Sequence, residues 1–204
     1  MKESKYYIAA GYEQMDIHTM EQFPSKQFYQ RLRGGFLKVS WRKLVCNNLG
    51  LPKWIFMLRL VAHGKLYTRD KLSKWGVICN VMCPLCDKES ESHSCLFFLC
   101  EMSAQIWQRL LQWQGITRRP KDWDAEIRWL TNYAKGKIAK AELYRIVLAA
   151  AAYTIWKERN MRVFQDKKQQ LDVMIKLVMQ EMFFRGNLRT KVARWLTNFN
   201  FYPV

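Results

Sequence analysis

The stretch Cys83-Pro-Leu-Cys86-Asp-Lys-Glu-Ser-Glu-Ser-His93-Ser-Cys95-Leu-Phe-Phe-Leu-Cys100 decides how this chain is read. It holds four of the six cysteines in eighteen residues. A Cys-x2-Cys pair lets two thiolates reach one ion from a tight turn, and Cys95 and Cys100 bring a second pair on the chain's return. Four soft ligands in a tetrahedron suit zinc, with Zn–S bonds of about 2.3 Å. Four protein ligands leave no open position for water, so such a site is structural. His93 and Cys95 both qualify as the fourth ligand by position. No βαβ pattern surrounds the Cys-x2-Cys, which argues against a redox pair. Of the remaining cysteines, Cys46 falls on the apolar side of a helical pattern and reads as core. Cys79 lies four residues before Cys83 and is a weak competitor for the ion.

Outward from this loop the pattern is helical, with readable punctuation. Upstream, Ser25 can cap a helix through Arg33 that carries Phe28 and Leu32, closed by Gly34-Gly35. Ser40 can cap a second that turns Trp41, Leu44 and Val45 inward. Pro52 suits the first turn of a third, ending near His63-Gly64. Thr68 can cap a fourth, with Leu72 and Trp75 on an inward face and Gly76 as terminator. Downstream, Met102, Ile106, Leu110 and Trp113 recur at helical spacing. Gly115 to Lys121 reads as a linker, and Asp122 or Asp124 as the cap of a helix ending near Gly136. A long helical pattern runs from Ile138 to about Phe164, another from about Gln169 to Phe184, and a short one includes Trp195 and Leu196. No strand pattern or internal repeat is evident. The expected fold is mainly α: short helices around a zinc-knuckle-like loop, followed by a C-terminal helical hairpin. The expected parts are an irregular segment 1–24, a metal-binding domain 25–115, a linker with a short helix 116–137 and a helical region 138–204.

Charge speaks about partners. The 204 residues hold 34 Lys and Arg against 17 Asp and Glu, a formal net charge of +17. Half of the residues are hydrophobic and nine are Trp, which is ample for a core and argues against disorder. From Gln22 to Met82 there are twelve basic residues and one acid, Asp70. Ordinary helix surfaces mix signs, so this imbalance points to phosphates. The acids gather instead at Asp87, Glu89 and Glu91, which reads as a solvated loop balancing the basic face. The longest apolar run, Ile146 to Trp156, is short of the ~20 residues a spanning helix needs. The first residues have no apolar core followed by a cleavage site, so no signal peptide is expected. An intracellular protein, of nucleus or cytoplasm, follows as the expectation.

Several motifs together resemble a known family. They are Trp41-Arg-Lys-Leu, Pro52-Lys-Trp-Ile-Phe-Met-Leu-Arg-Leu, Gly64-Lys-Leu-Tyr-Thr-Arg-Asp-Lys-Leu-Ser-Lys-Trp-Gly76, Cys-Pro-Leu-Cys86, Cys95-Leu-Phe-Phe-Leu-Cys100 and Ile106-Trp107. In this order they resemble the reverse-transcriptase zinc-binding domain at the C-terminal end of plant LINE-type (non-LTR) retrotransposon polyproteins. Tyr153-Thr-Ile-Trp-Lys-Glu-Arg-Asn160 and Arg162-Val-Phe164 resemble the helical tail that commonly follows it. The resemblance implies Cys83, Cys86, Cys95 and Cys100 as metal ligands, with Cys95 standing where the family usually has His. His93 is the alternative fourth ligand. It also implies an upstream polymerase and endonuclease, whose motifs are missing here, so no enzyme is expected of this chain.

Two functions remain in view. The first is a non-catalytic nucleic-acid-binding module holding one structural zinc, a detached part of a reverse transcriptase. It would contact RNA or DNA phosphates without sequence preference through Lys65, Arg69, Lys71 and Lys74, with stacking by Tyr67 or Trp75. The polymerase portion of a retroelement protein is a further partner, and no membrane is expected. The second is a protein-interaction or scaffold domain from a fossil or host-translated fragment, in which the Ala149-Ala150-Ala151-Ala152 run permits close helix approach.

Overall fold

In a computed structural model the chain divides into two compact units, Met1–Val39 and Ser40–Val204. The described residues are 29, 39–46, 48–77, 80–136, 138–186 and 190–197, without the side chain of residue 195. The expected helix from Ser25 to Arg33, the segment 1–24 and Cys79 lie outside them.

The second unit is mainly α. Its helices are α1 (Arg42–Cys46), α2 (Pro52–Ala62), α3 (Arg69–Lys74), α4 (Glu101–Trp113), α5 (Trp123–Tyr133), α6 (Ala139–Gln165), α7 (Leu171–Gly186) and α8 (Thr190–Leu196). Pro52 opens α2 in the first turn, where its missing N–H leaves no bond unmade. Asp122 caps α5, its carboxylate accepting from the Ala125 amide at 2.9 Å. Gly64 and Gly76 follow α2 and α3 with φ of 58° and 72°. Both positions are left-handed, and a side chain there would be strained.

The long helix α6 organises the unit. It packs against α2, α4, α7 and α8, so its middle is surrounded, and Tyr144 through Ala152 are all buried. The Ala149–Ala152 run is therefore used inside the molecule, where small side chains let neighbouring helices approach. One hydrophobic core joins Leu44 and Leu58, the Leu96-Phe97-Phe98 run, Ile106, Trp107 and Leu110, and Met179 of α7. The cysteine loop and the C-terminal helices share this core. Among the described residues, no helix is long and apolar enough to cross a membrane.

Three expectations are overturned. Cys46 is exposed rather than core, because α1 ends there and only Leu44 and Val45 turn inward. Trp75 is 61% exposed, because α3 closes at Lys74 and the ring swings outward to meet Tyr67 edge to face at 5.6 Å. Glu91 is buried rather than solvated, since Arg159 of α6 neutralises it.

Candidate metal centre

The cysteine loop is built as a knuckle. An isolated antiparallel bridge pairs Met82 with Ser90, closing a short hairpin around the Cys83–Cys86 turn. The Cys83 amide donates to the Glu89 carbonyl at 2.7 Å, and the Asp87 amide donates to the Cys83 carbonyl at 2.8 Å. Asp87 takes φ of 54°, the left-handed conformation that lets the chain leave the turn. The return strand then becomes a π-helical turn over Cys95–Leu99, in which the Cys100 amide reaches back to the Cys95 carbonyl at 2.7 Å. Such wide turns are rare and favour functional sites. This one buries Leu96, Phe97 and Phe98 while holding Cys95 and Cys100 on the side of the knuckle.

The sulphurs of Cys83, Cys86 and Cys100 lie within 4.8 Å of one another, Cys83 and Cys100 buried and Cys86 half-buried. Cys95 stands outside this three-thiol group, but its thiol hydrogen-bonds with those of Cys83 and Cys100. Protons are unequally held in the cluster. Thiols of Cys83 and Cys95 donate to Cys100, whose own pKa falls to about 2 against the opposing effect of burial. Its place before α4 helps, since the backbone amides of Ser103 and Met102 also favour a thiolate there. Cys95 is pushed up to about 12, chiefly by its hydrogen bond with Cys100. Hydrogen bonds to Cys100 and Cys95, with burial, push Cys83 up as well. Clustered thiols around one thiolate fit a soft divalent cation, which Cys83, Cys86 and Cys100 would hold by giving up their protons.

His93 is placed differently. Its Nε2 donates to the Val61 carbonyl at 2.7 Å, and its ring meets Trp123 edge to face at 4.4 Å and lies 5.3 Å from Phe97. Burial lowers its pKa, which favours the neutral imidazole, and the ring bridges α2 and α5. It is not part of the thiol group.

The knuckle is gripped by charged groups of α6 and α3. Arg159 forms a two-pronged ion pair with Glu91, Nε to Oε1 at 2.8 Å and Nη2 to Oε2 at 2.9 Å, with both side chains buried. The same Glu91 Oε2 accepts from the Arg69 amide at 2.7 Å. It thus takes the place at the start of α3 expected for the Thr68 hydroxyl, which donates to Asp70 instead. Arg162 donates to the carbonyls of Pro84 (3.2 Å) and Leu85 (2.9 Å), inside the Cys-x2-Cys turn itself. Its Nε is held by Glu158 at 2.7 Å. The sequence signal for these anchors was the Lys-Glu-Arg-Asn run inside an otherwise apolar helical pattern. Charged groups there need partners, but their identity cannot be read from one strand of text.

The four candidate phosphate ligands separate into two pairs. Lys65 and Lys74 are exposed. The Arg69 guanidinium donates to the Met82 carbonyl at 2.7 Å, and the Lys71 ammonium to the carbonyls of Gly64 and Leu66. The second pair therefore ties α3 to the knuckle and to the loop before it.

Residues 23–107 match the family described as zinc-binding in reverse transcriptase. No curated protein and no solved structure matches the chain. The match ends within α4, while Arg159 and Arg162 reach the knuckle from beyond it. Together, the matched segment and the thiol cluster mark a zinc-binding module.

Proposed function

We propose that this chain is a non-catalytic nucleic-acid-binding module held together by one structural zinc, a C-terminal portion of a non-LTR retrotransposon reverse transcriptase. The observation that carries the reading is a thiol cluster preceded along the chain by helices and a loop that expose many cations. Arg42, Lys43, Lys53, Arg59 and Lys74 on the helices before the knuckle, and Lys65 in the loop between α2 and α3, are all exposed. Tyr67, two residues after Lys65, and Trp75, next to Lys74, present their rings to solvent at 62% and 61% exposure. Cations that hold phosphates and rings that stack on bases are the two parts of sequence-tolerant binding. Cys83, Cys86 and Cys100 would hold the ion with Cys95 as the fourth ligand, and zinc would supply a fixed cross-link between the knuckle and α4. The non-catalytic reading is supported by the buried carboxylates. Glu91 is engaged by Arg159, Glu126 by Arg118 and Glu158 by Arg162, which makes each a structural anion.

Native mass spectrometry tests the metal and salt-dependent binding tests the partner. One zinc per chain is expected, retained in His93→Ala and in Cys95→His. Metal-free protein prepared with zinc present, or disulfides between these cysteines, contradicts the site. Binding to RNA or DNA should fall steeply with salt, whereas a flat dependence of log K on log salt favours a protein partner. That second reading draws on Val173, Leu177 and Phe184, which leave an apolar strip of α7 exposed.

A further inference from the structure

The second half of α6 is buried on one side, at Ile155, Glu158 and Arg159, and open on another. From Tyr153 to Gln165 one side of the helix faces solvent, with Tyr153, Lys157, Asn160 and Phe164 succeeding one another at helical spacing. Together with Trp156 and Met57 of α2, they line an open groove of about 540 Å³, within the ~300–1,000 Å³ of ligand pockets. Its chemistry is specific. Tyr153, Trp156 and Phe164 supply aromatic rings, the last 75% exposed. Asn160 uses its carbonyl oxygen to accept from Arg159 at 3.1 Å, which leaves its amide N–H groups as donors. Lys157 is exposed on the rim, and the Lys53 ammonium stands 5.3 Å from the Tyr153 ring centre. Among the described residues, no carboxylate lines the groove.

We propose that this groove is a stacking site for an unpaired nucleobase, so that the nucleic acid bound by this chain is single-stranded where it crosses α6. The inference rests on the nucleic-acid reading above and adds the class of substrate. An apolar peptide would be met by rings alone. Here rings stand beside amide donors and cations, as a base with its attached phosphate requires. A paired base keeps its faces within the stack, so the exposed rings gain nothing from a duplex. One buried guanidinium touches both the groove and the backbone of Tyr67. Arg159 donates to the Tyr67 carbonyl at 3.4 Å and lies 5.0 Å from the centre of the Trp156 ring.

The test uses the full zinc-loaded chain with a short oligothymidylate and a duplex of equal length at matched salt. The single strand should bind more tightly. Phe164→Ala with Lys157→Gln should weaken single-strand binding roughly tenfold and leave duplex binding unchanged, since both side chains are exposed and thermal unfolding should not shift. Photocrosslinking of the unaltered chain to a 4-thiothymidine strand gives an independent readout, with adducts expected between Tyr153 and Gln165. Equal affinity for strand and duplex, an unaffected double variant, or adducts confined to other segments overturns the groove and leaves the nucleic-acid reading standing. No binding to any nucleic acid overturns both.

Discussion

Glu91 is the residue through which three parts of the molecule meet. Its backbone joins the knuckle, with its amide donating to Val81 at 2.8 Å, while its carboxylate caps α3 and neutralises Arg159 of α6. A buried ion pair is poor evidence for net stability, because desolvating both charges offsets most of their attraction. Breaking such a pair is different, since the surviving charge stays buried without a partner. Glu91→Ala should therefore lower the stability of the zinc-loaded chain by about 3–5 kcal/mol, measured by urea unfolding. Adding Arg159→Met should recover part of that loss. If the two losses simply add, the pair is not the linchpin described.

At the scale of elements, α3 and α6 act as opposite jaws on the cysteine loop. Arg162 donates to two carbonyls within the Cys-x2-Cys turn, so it orients the ligands without touching a metal. Outer-shell contacts of this kind typically change metal affinity 10–100-fold. Arg162→Ala should weaken zinc affinity at least roughly tenfold in competition with a chromophoric chelator. Unchanged affinity would show that the turn holds its shape alone. On α3 and the loop before it, the charges divide by task. Lys65 and Lys74 are exposed, whereas Arg69 and Lys71 are tied to backbone carbonyls. Lys65→Gln with Lys74→Gln should weaken binding of all sequences alike and reduce the salt slope by about two. Arg69→Gln should act first on the stability of the knuckle. A salt slope unchanged in the double variant moves the phosphate contacts to other cations of the basic half.

Across the second unit, the metal loop and the C-terminal helices share one hydrophobic core. The π turn packs on α6 as well as on α4, and α6 reaches the loop with Arg159 and Arg162. The two parts bury apolar side chains against each other. A chain ending at residue 137 should lose its cooperative thermal transition and bind zinc roughly 10–100-fold more weakly than the full chain. A dispersed amide spectrum with undiminished zinc affinity in that shortened chain would show instead that the knuckle folds independently. Chelating zinc from the full chain should in turn loosen the Cys83–Cys100 loop and the helix ends beside it, read by hydrogen exchange.

What was legible in the text was local. Helix positions followed from apolar spacing and from Pro52, Asp122, Gly64 and Gly76, because caps and left-handed turns act within a few residues. The Cys-x2-Cys turn and its returning cysteines were legible for the same reason, since a metal site leaves short, fixed spacings. Exposure at element ends was not legible. Trp75 and Cys46 fit an inward face by periodicity, but α3 and α1 stop before the period can bury them. Partnership was not legible either. Glu91 sits 68 residues from Arg159, and Arg162 sits 77 from Leu85. Buried charge and hydrogen bonding depend on three-dimensional neighbours, which hydropathy along the chain does not encode. By itself the sequence determined a mainly α chain with a thiol knuckle and a basic flank. Only tertiary packing decided that α6 grips the knuckle, because a buried guanidinium is tolerable only where folding brings it a carboxylate or carbonyl.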